Sequence, residues 1–568
     1  MSVINFDEVS VQYKTQSGDE WALDDVTVAI ERGESIGITG PSEAGKATFL
    51  RVIASYIPNY FTCELRGNAT VNEISVAETT IGEMSETVAM LFENPFDQLT
   101  GATSTVVEEV AYGLENQGIE RDEIINKTHE SIETVGITDL MNRDPYDLSG
   151  GQSQRVSLAS ILALEPEVLL LYEPTSQLDP SGTADVYDVI AEMESDEYTT
   201  IVVSQNTERL APIVDRLLVF DDGRIRADDD PQSVLTSEIA DEDLFFVPDI
   251  VRVGTRLRET GRVAAGRPVP LHRNDVLAEL RTVTSPSTEN ISNQIDCSDT
   301  VSPTDEIIEF ENVRFSYGED IEALSDISLS IGEGCTCLVG QNGAGKSTVA
   351  KHLNGLLKPD EGTVSIKGRD THDWRVAQLA RDVGLSFQNP DNQLFHSSVK
   401  EEVRYGPRNL DYDEDTVDTL SEKAIGLMEL KDVRNKNPYD LELARRKRIA
   451  VASVLAMDTD IVVLDEPTGG QDVRGTKLLG NAVETLVDDG KAVVVITHDM
   501  TFTRDYADRI VALRQGEVLL DNHPRTVFGQ EETLAETAVR PPEVTQLGAA
   551  LGLPETVLTV DELFEILV

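Results

Sequence analysis

Two glycine-rich stretches, each containing one lysine, are the parts of this sequence best suited to bind phosphate. The second reads Gly340-Gln-Asn-Gly-Ala-Gly-Lys-Ser-Thr348. Glycines at this spacing let backbone N–H groups close around phosphate oxygens, while Lys346 reaches the β- and γ-phosphates and the Ser347 hydroxyl binds Mg²⁺. The sequence therefore predicts a nucleoside-triphosphate site with Mg²⁺ at this loop.

An acidic pair follows an apolar run later in the same part of the chain. Asp465 and Glu466 end the run Ile461-Val-Val-Leu464, whose β-branched residues are typical of a buried strand. One carboxylate at such a strand end can hold magnesium, and its neighbour can orient or deprotonate an attacking water molecule. We expect Asp465 to hold the metal and Glu466 to act on the water.

The sequence repeats these features at a nearly constant interval. Gly40-Pro-Ser-Glu-Ala-Gly-Lys-Ala-Thr48 precedes the second glycine-rich stretch by 300 residues. Leu169-Leu-Leu-Tyr-Glu-Pro-Thr175 precedes Val462-Val-Leu-Asp-Glu-Pro-Thr468 by 293 residues. An interval that drifts by only seven residues (300 minus 293) indicates one domain that was duplicated with a few loop insertions.

The glycine-rich stretches lie between elements of alternating type. In the second copy the apolar run Cys337-Leu-Val339 precedes the loop, and the helical pattern Val349–Asn354 follows it. Continuous apolar strands that alternate with helices belong to a parallel sheet covered on both faces. The Ser, Thr, Pro and Asn content of residues 282–305 predicts a flexible linker between the copies. The fold class predicted is therefore α/β, with two tandem domains.

The composition is strongly acidic. Acidic residues number 103 and basic residues 47, which gives a formal net charge of −56. Nucleic acids and anionic lipids are bound by basic surfaces, so the composition argues against both as partners. Because 40% of the residues are hydrophobic, the chain is expected to fold rather than to be disordered. Dispersed carboxylates are typical of proteins from a saline cytosol, and we expect a halophilic source.

Cysteine usage and hydropathy favour a soluble cytosolic chain. Cys335 and Cys337 lie in a strand-like run, and their spacing fits neither a zinc site nor a redox pair. We expect reduced, structural thiols. No apolar run approaches the roughly 20 residues that span a bilayer.

The first copy contains Leu148-Ser-Gly-Gly-Gln152, which completes a set of motifs that resembles the ATP-binding-cassette (ABC) ATPases. The resemblance covers both copies almost end to end. It includes an aromatic residue before the first strand (Tyr13, Tyr317), the glycine loop, Gln388, the acidic pair and Thr497-His-Asp499. It implies that each domain has a RecA-like parallel-sheet core, an antiparallel β subdomain and a helical subdomain that carries the signature. It also implies ATP hydrolysis with Mg²⁺.

The resemblance assigns roles to individual residues. Tyr317 would stack on adenine, Gln388 would join magnesium to a transmembrane partner, and His498 would contact the γ-phosphate. Cassettes of this family pair head to tail, so each ATP lies between one copy's glycine loop and the other copy's signature. The implied site comprises catalytic Glu466 and His498, magnesium ligands Ser347, Gln388 and Asp465, and nucleotide contacts Tyr317, Gly340, Gln341, Asn342, Gly343, Ala344, Gly345, Lys346, Ser347, Thr348, Ser149, Gly150, Gly151, Gln152 and Asp179.

Departures from the family pattern fall on the opposite site. The second copy has Leu441-Glu-Leu-Ala-Arg445 in place of the signature, and Glu442 would present a carboxylate to the γ-phosphate. The first copy has Ala47 in place of the magnesium hydroxyl and Tyr172 in place of the magnesium carboxylate. Independent decay would scatter such losses, so their clustering predicts an asymmetric pair within one chain and one hydrolysed ATP per cycle. The degenerate site comprises Tyr13, Gly40, Gly45, Lys46, Ala47, Thr48, Glu93, Tyr172, Glu173, Gln205 and Glu442.

A further segment narrows the subfamily. Phe387-Gln-Asn-Pro-Asp-Asn-Gln-Leu-Phe395 resembles the cassettes of energy-coupling factor (ECF) importers and their cobalt/nickel relatives. That resemblance implies two partners, a transmembrane coupling protein and a small substrate-binding membrane protein. It also implies a location at the cytoplasmic face of the membrane and uptake of a vitamin or a transition-metal ion. Substrate choice lies in the membrane subunits, so the substrate stays open.

Two other classes of cassette protein are alternatives. An ABC exporter has the same hydrolytic motifs, and the Asn-Pro-Asp-Asn-Gln segment weighs against it. Twin-cassette translation and ribosome factors contact RNA and carry a long charged connector or an iron–sulfur domain, whereas this connector is short and polar. The resemblance divides the chain into a first cassette at 1–245, its extension at 246–281, the linker at 282–305, a second cassette at 306–528 and its extension at 529–568.

Overall fold

The computed structural model describes residues 2–14, 21–176, 178, 180–193, 198–264, 266–283, 307–318 and 321–567. The chain divides into two compact units, Met1–His272 and Arg273–Val568. Apart from its first two residues, the linker predicted at 282–305 lies outside the described residues.

The first unit contains two sheets. An antiparallel sheet of four strands has the order β2-β1-β4-β5, and a sheet of six strands has the order β10-β9-β3-β8-β7-β6. The larger sheet is parallel except for the pair β9 and β10. The strands are β1 (Ser2–Tyr13), β2 (Trp21–Glu31), β3 (Ser35–Thr39), β4 (Cys63–Val71), β5 (Ile74–Ser75), β6 (Val88–Leu91), β7 (Val168–Tyr172), β8 (Thr199–Val203), β9 (Arg216–Asp221) and β10 (Arg224–Asp229).

Helices of the first unit flank the larger sheet, and three of them, α4, α5 and α6, pack together as a helical subdomain. The helices are α1 (Lys46–Ile53), α2 (Tyr56–Asn59), α3 (Ile81–Met84), α4 (Val106–Asn116), α5 (Arg121–Thr134), α6 (Gly150–Leu162), α7 (Pro180–Glu192), α8 (Thr207–Leu210), α9 (Pro231–Leu235) and α10 (Asp249–Glu259).

The second unit repeats this architecture. Its sheets have the orders β12-β11-β14-β15 and β16-β17-β18-β13-β19-β20, which are the orders of the first unit with corresponding strands. The strands are β11 (Ile308–Tyr317), β12 (Ile321–Ile331), β13 (Gly334–Val339), β14 (Glu361–Ile366), β15 (Arg369–Asp370), β16 (Val383–Ser386), β17 (Ile461–Asp465), β18 (Ala492–Ile496), β19 (Arg509–Arg514) and β20 (Glu517–Asn522). The helices are α11 (Arg273–Val283), α12 (Lys346–Leu353), α13 (Val376–Leu379), α14 (Val399–Asn409), α15 (Glu414–Leu427), α16 (Leu443–Leu455), α17 (Val473–Asp488), α18 (Met500–Tyr506), α19 (Pro524–Phe528), α20 (Glu531–Ala535), α21 (Glu543–Ala550) and α22 (Val560–Leu567).

The central strands are predominantly apolar because both faces of the sheet are buried. In β17, Val462 and Leu464 contribute to one hydrophobic cluster, and Ile461 and Val463 contribute to the other. Successive side chains of a strand point to opposite faces, so a sheet covered on both sides needs an apolar residue at every position. The expected α/β architecture, with a parallel core, an antiparallel subdomain and a helical subdomain in each copy, is confirmed.

Strand order determines which loops meet at the carboxyl edge of the larger sheet. In the second unit β18 lies between β13 and β17, and β16 lies beyond β17. The glycine loop follows β13, the acidic pair ends β17, and His498 follows β18. Loops that follow adjacent parallel strands lie at the same edge of a sheet, where α/β proteins bind their ligands.

Helix α11 belongs structurally with the second unit. Its Val276 and Leu280 are buried, and it packs against α21. The guanidinium of Arg273 donates a hydrogen bond to Gln546, and that of Arg281 donates to the carbonyl of Ala550. The division predicted from the motifs assigns residues 246–281 to the extension of the first cassette, and it stays a prediction. In the structure, α10 belongs to the first compact unit and α11 to the second.

Two of the cysteines lie in the interior of the second unit. Cys335 and Cys337 are free thiols buried in β13, as expected for structural residues. Within the described ranges, none of the helices combines the length and the apolar character needed to cross a membrane.

Candidate nucleotide site

The glycine loop of the second unit connects β13 to α12 through backbone that requires glycine. Gly340 has φ 143°, and a Cβ there would lie 2.3 Å from the carbonyl oxygen of Leu513. Only glycine combines this left-handed φ with so close an approach of another backbone segment. The loop ends at Lys346, the first residue of α12, so the N-terminus of that helix and its free N–H groups face the loop.

Lys346 is almost fully buried, with 6% of its surface exposed. Its Nζ donates hydrogen bonds to the carbonyl oxygens of Gly340, at 2.6 Å, and Gln341, at 3.0 Å. These contacts hold the ammonium over the loop, where it can interact with phosphate. The structure thus places the lysine at the loop, and its contact with the β- and γ-phosphates stays a prediction.

Ser347 and Asp465 meet at the end of β17. The Ser347 hydroxyl hydrogen-bonds to the Asp465 carboxylate, and burial raises the pKa of Asp465. Asp465 Oδ1 is buried and finds no hydrogen-bond partner in the described part of the chain. Carboxylate and hydroxyl oxygens are suitable ligands for Mg²⁺, which is usually bound through one or two carboxylates and the phosphates of the substrate. These residues therefore fit a magnesium ion that arrives with its nucleotide.

Some proteins bind a metal ion through a group of side chains alone, without help from a ligand. Within the ranges given above, no group of three His, Cys, Asp or Glu side chains comes together in a way that could hold a metal ion by itself.

Glu466 and His498 form a second pair beside the loop. His498 Nε2 lies 3.1 Å from Glu466 Oε1 and 3.2 Å from Asn342 Oδ1, so the imidazole connects the acidic pair to the glycine loop. Burial raises the pKa of Glu466 to about 7, and the ammonium of Lys346 acts in the opposite direction. Glu466 has φ 49°, a left-handed conformation that is sparsely populated for residues other than glycine.

Tyr317 lies beside the start of α12. Its hydroxyl is 3.4 Å from Thr348 Oγ1, and 41% of the residue is exposed, which leaves part of the ring accessible. Tyr13 has the same relation to Thr48 in the first unit, at 3.2 Å. The prediction that Tyr13 and Tyr317 precede the first strand of their units is wrong. They are the last residues of β1 and β11, because the alternating apolar pattern of those strands begins about ten residues earlier.

Gln388 is exposed on the segment that follows β16. Ser386, the last residue of β16, pairs with Leu464, next to Asp465. Gln388 thus lies at the same edge of the sheet as the acidic pair. The segment is fixed by Gln393, whose Oε1 accepts a hydrogen bond from the Phe387 N–H at 3.1 Å.

The signature of the first unit forms the N-terminus of α6. Ser149 is the N-cap residue, and its hydroxyl accepts a hydrogen bond from the Gln152 N–H while Gln152 Oε1 accepts one from the Ser149 N–H. This capping box exposes Ser149 at the end of a thirteen-residue helix. In the second unit Glu442 takes the N-cap position of α16 and makes no capping hydrogen bond. Asp179 lies outside the described residues.

The glycine loop of the first unit has the same backbone but different chemistry. Lys46 Nζ donates to the carbonyl of Gly40 at 2.8 Å, and Gln205 Nε2 donates to the same oxygen at 2.9 Å. Ala47 replaces the hydroxyl residue, and Tyr172 packs against the hydrophobic core instead of presenting a carboxylate. The oxygen pair that fits magnesium in the second unit is therefore missing from these two positions.

Glu173 retains its place in the first unit without its acidic neighbour. Burial and, to a lesser degree, the nearby carboxylate of Glu93 raise the pKa of Glu173 to about 8. Its φ of 46° matches that of Glu466. The backbone geometry of the two units is thus alike at this residue, while the surrounding charges differ.

Lys447, which contacts the acidic pair, was not among the residues predicted from the sequence. Lys447 on α16 donates a hydrogen bond from Nζ to the carbonyl oxygen of Glu466 at 3.0 Å. The signal available in the sequence was the run Arg445-Arg-Lys-Arg448, which is unusual in a chain with a net charge of −56.

A parallel sheet with a glycine loop, a strand-end acidic pair and a polar residue after the neighbouring strand defines a P-loop nucleotide-binding ATPase. The sequence profile of the ABC transporter family matches residues 23–176 and 324–469, and the chain belongs to this family.

Named relatives extend along almost the whole chain. The chain is 32% identical to an ABC transporter ATP-binding protein, so named, of Caldanaerobacter subterraneus, over 98% of this chain and 97% of that relative. A protein of the same description from Methanosarcina acetivorans is also 32% identical, over 97% of this chain and 90% of the relative. Among solved structures, cbiO1 of Clostridium perfringens, described as part of the ABC transporter complex cbiONQ, is 31% identical with a TM-score of 0.37, and the match covers 43% of this chain and 99% of that chain.

Proposed function

We propose that the chain hydrolyses one ATP per cycle, at the glycine loop of its second unit. The observation that carries this proposal is the difference between the two units at equivalent positions. The second unit has Ser347, Asp465 and His498 at its glycine loop and at the strand ends beside it. The first unit has Ala47, Tyr172 and Gln205 at the equivalent positions.

Each residue of the second unit has a role that follows from its position. Lys346 and the loop amides hold the phosphates, and the Ser347 hydroxyl and Asp465 carboxylate hold magnesium. Bound magnesium neutralises charge that develops on the phosphates. Glu466 accepts a hydrogen bond from the attacking water and orients it toward the γ-phosphate. His498 positions Glu466 and lies close enough to the loop to reach the same phosphate.

The signature of the first unit supplies the opposite side of this site. Ser149 Oγ and the N-terminal N–H groups of α6 are donors suited to phosphate oxygens, and Gly150 and Gly151 leave room for close approach. Glu442 would present a carboxylate at the equivalent position of the other site, where it repels phosphate. Head-to-tail pairing of the two units within one chain therefore yields one competent and one degenerate site.

Replacement of the two equivalent glutamates tests the single-site proposal. Glu466→Gln removes the carboxylate that acts on water, and we expect steady-state ATPase activity of the full chain to fall about 100-fold or more. Glu173→Gln is the matched control, because it makes the same change on the same backbone, and we expect less than about a twofold effect. Equal losses in the two variants would contradict the proposal.

For the transported substrate, we propose uptake of a vitamin or transition-metal ion by an ECF-type importer. The segment Phe387–Phe395 supports this assignment, since it directly follows β16 and contains the exposed Gln388, through which a transmembrane coupling protein can sense the nucleotide. The chain would bind the cytoplasmic face of the membrane through that partner and a small substrate-binding membrane protein. Affinity purification of the full chain from its native membranes tests this. Recovery of ribosomes instead of small membrane proteins would contradict it.

We also propose that the acidic surface is an adaptation to a saline cytosol. A net charge of −56 makes a folded chain repel itself, and salt screens that repulsion within about 10 Å at 0.1 M. The melting temperature should rise steeply as KCl increases from about 0.1 M to about 1 M. Sucrose at equal osmolality is the control, and an equal rise in sucrose would argue against charge screening.

A further inference from the structure

Lys447 is a buried lysine attached to the catalytic loop of its own unit. It lies in the second turn of α16, and 9% of its surface is exposed. Its Nζ donates to the carbonyl oxygen of Glu466 at 3.0 Å. A lysine this deeply buried is costly unless its ammonium is hydrogen-bonded, so the contact with Glu466 is a specific one.

The first unit has a different residue at this position. Gln154 takes the place of Lys447 on α6, with 1% of its surface exposed. Neither side-chain oxygen nor nitrogen of Gln154 has a hydrogen-bond partner among the residues described. The link from the signature helix to the glutamate carbonyl is therefore a feature of the second unit that the amide of the first unit does not reproduce.

Gly469 provides the room that the lysine occupies. A Cβ at Gly469 would lie 2.8 Å from Lys447 Nζ, so a side chain at this position would displace the ammonium from where it lies. The first unit has Ser176 at the equivalent position. The two units thus differ at both of these contacting positions: the second unit has lysine and glycine, and the first has glutamine and serine.

Two more contacts join α16 to the same edge of the sheet. Gln471 Nε2 donates to the carbonyl of Ala444 at 2.9 Å, and the first unit has the apolar Leu178 in place of Gln471. Arg446 forms an ion pair with Asp391 at 3.2 Å, in the segment that contains Gln388. The first two turns of α16 therefore contact both loops that flank the magnesium ligand Asp465.

We propose that Lys447 is a positioning residue for Glu466, so that the helix that lost its signature in the second unit now fixes the hydrolytic loop of that unit. This inference rests on the proposed role of Glu466. Glu466 has a left-handed φ of 49°, and its carbonyl accepts the hydrogen bond from the ammonium on α16, which helps to hold this strained residue in place. The hydrogen bond of Lys447 is to the backbone carbonyl of Glu466 rather than to its carboxylate. The charge of the ammonium also lowers the pKa of that carboxylate, against the effect of burial. The effect of Lys447 on the reaction is therefore exerted through the orientation and charge environment of the glutamate.

The test compares kcat and KM for MgATP in full-chain variants. Lys447→Gln introduces the residue of the first unit, and we expect kcat to fall about 10-fold or more with KM changed less than about twofold, because hydrogen bonds to charged groups are strong. Lys447→Arg keeps a buried cation and should restore most of kcat. Arg434→Gln is the control, since it removes a cation paired with Glu422 in the helical subdomain, and we expect unchanged kinetics.

A second variant keeps the proposal testable if Lys447→Gln unfolds. Gly469→Ser fills the space beside Nζ, and we expect it to lower kcat in the same way. The double variant Lys447→Gln/Gly469→Ser should be no worse than the more affected single variant, because both act on one contact. Unchanged kcat in Lys447→Gln, or an equal loss in Arg434→Gln, would overturn the positioning role. Full activity in Glu466→Gln would instead overturn the proposed function.

Discussion

At the scale of single residues, the two units differ in side chains and agree in backbone. Gly40 and Gly340 have φ 133° and 143°, and Glu173 and Glu466 have φ 46° and 49°. The strained loops needed for nucleotide binding are therefore kept in both units. The units differ in the oxygen ligands that they offer to magnesium. The second unit has the Ser347 hydroxyl and the Asp465 carboxylate, and the first unit has Ala47 and Tyr172 at the equivalent positions.

Restoring the missing oxygens in the first unit should not create a second active site. The double variant Ala47→Ser/Tyr172→Asp supplies both proposed magnesium ligands, yet under the proposed head-to-tail pairing Glu442 would still present a carboxylate to the phosphates of that site. We expect steady-state turnover well short of a doubling. Adding Glu442→Ser is the matched comparison, and a clean doubling without it would mean that the second unit's signature is competent.

At the scale of elements, the strand–loop–helix unit depends on one glycine more than on another. Gly340→Ala would place a Cβ 2.3 Å from the Leu513 carbonyl, so the loop must move, and we expect MgATP affinity to fall strongly. Gly343→Ala meets no atom within 4 Å and adds a left-handed alanine, a strain of about 1 kcal/mol. Glu43 already tolerates φ 63° at the equivalent position.

Nucleotide binding by the two alanine variants measures this difference. Titration of the full chain with a fluorescent ATP analogue should show near-normal affinity for Gly343→Ala and a large loss for Gly340→Ala. A thermal melt identifies global unfolding. Equal affinities in the two variants would mean that the close approach to Leu513 does not control the loop.

Elements with a strong local signal were predictable from the sequence. β13, β17 and β18 are predominantly apolar because both faces of the sheet are buried, and the glycine loop follows its strand at the expected place. The contact of Lys447 with Glu466 was not predictable, since it joins residues 19 positions apart through tertiary packing. Likewise, the packing of α11 against α21 depends on contacts 269 and 273 residues apart, which no local pattern encodes.

At the scale of the whole molecule, duplication explains the fold, and divergence explains the proposed function. Both units keep the same strand order in both sheets, so the architecture itself has not changed since duplication. The departures lie at the nucleotide-binding edge of the larger sheet in the first unit and on the signature helix of the second. If the units pair head to tail, these departures meet at one site and leave the other complete. The molecule would then hydrolyse one nucleotide per cycle.

Trapping of the hydrolysis product tests this central claim most directly. Incubating the full chain with Mg²⁺, a radiolabelled photoreactive ATP analogue and vanadate retains nucleotide only where hydrolysis has occurred. The account predicts one trapped nucleotide per chain, with the label in peptides from Arg273–Val568 that contain Lys346, and no trapping in Glu466→Gln. Two trapped nucleotides per chain, or label shared with peptides that contain Lys46, would contradict it.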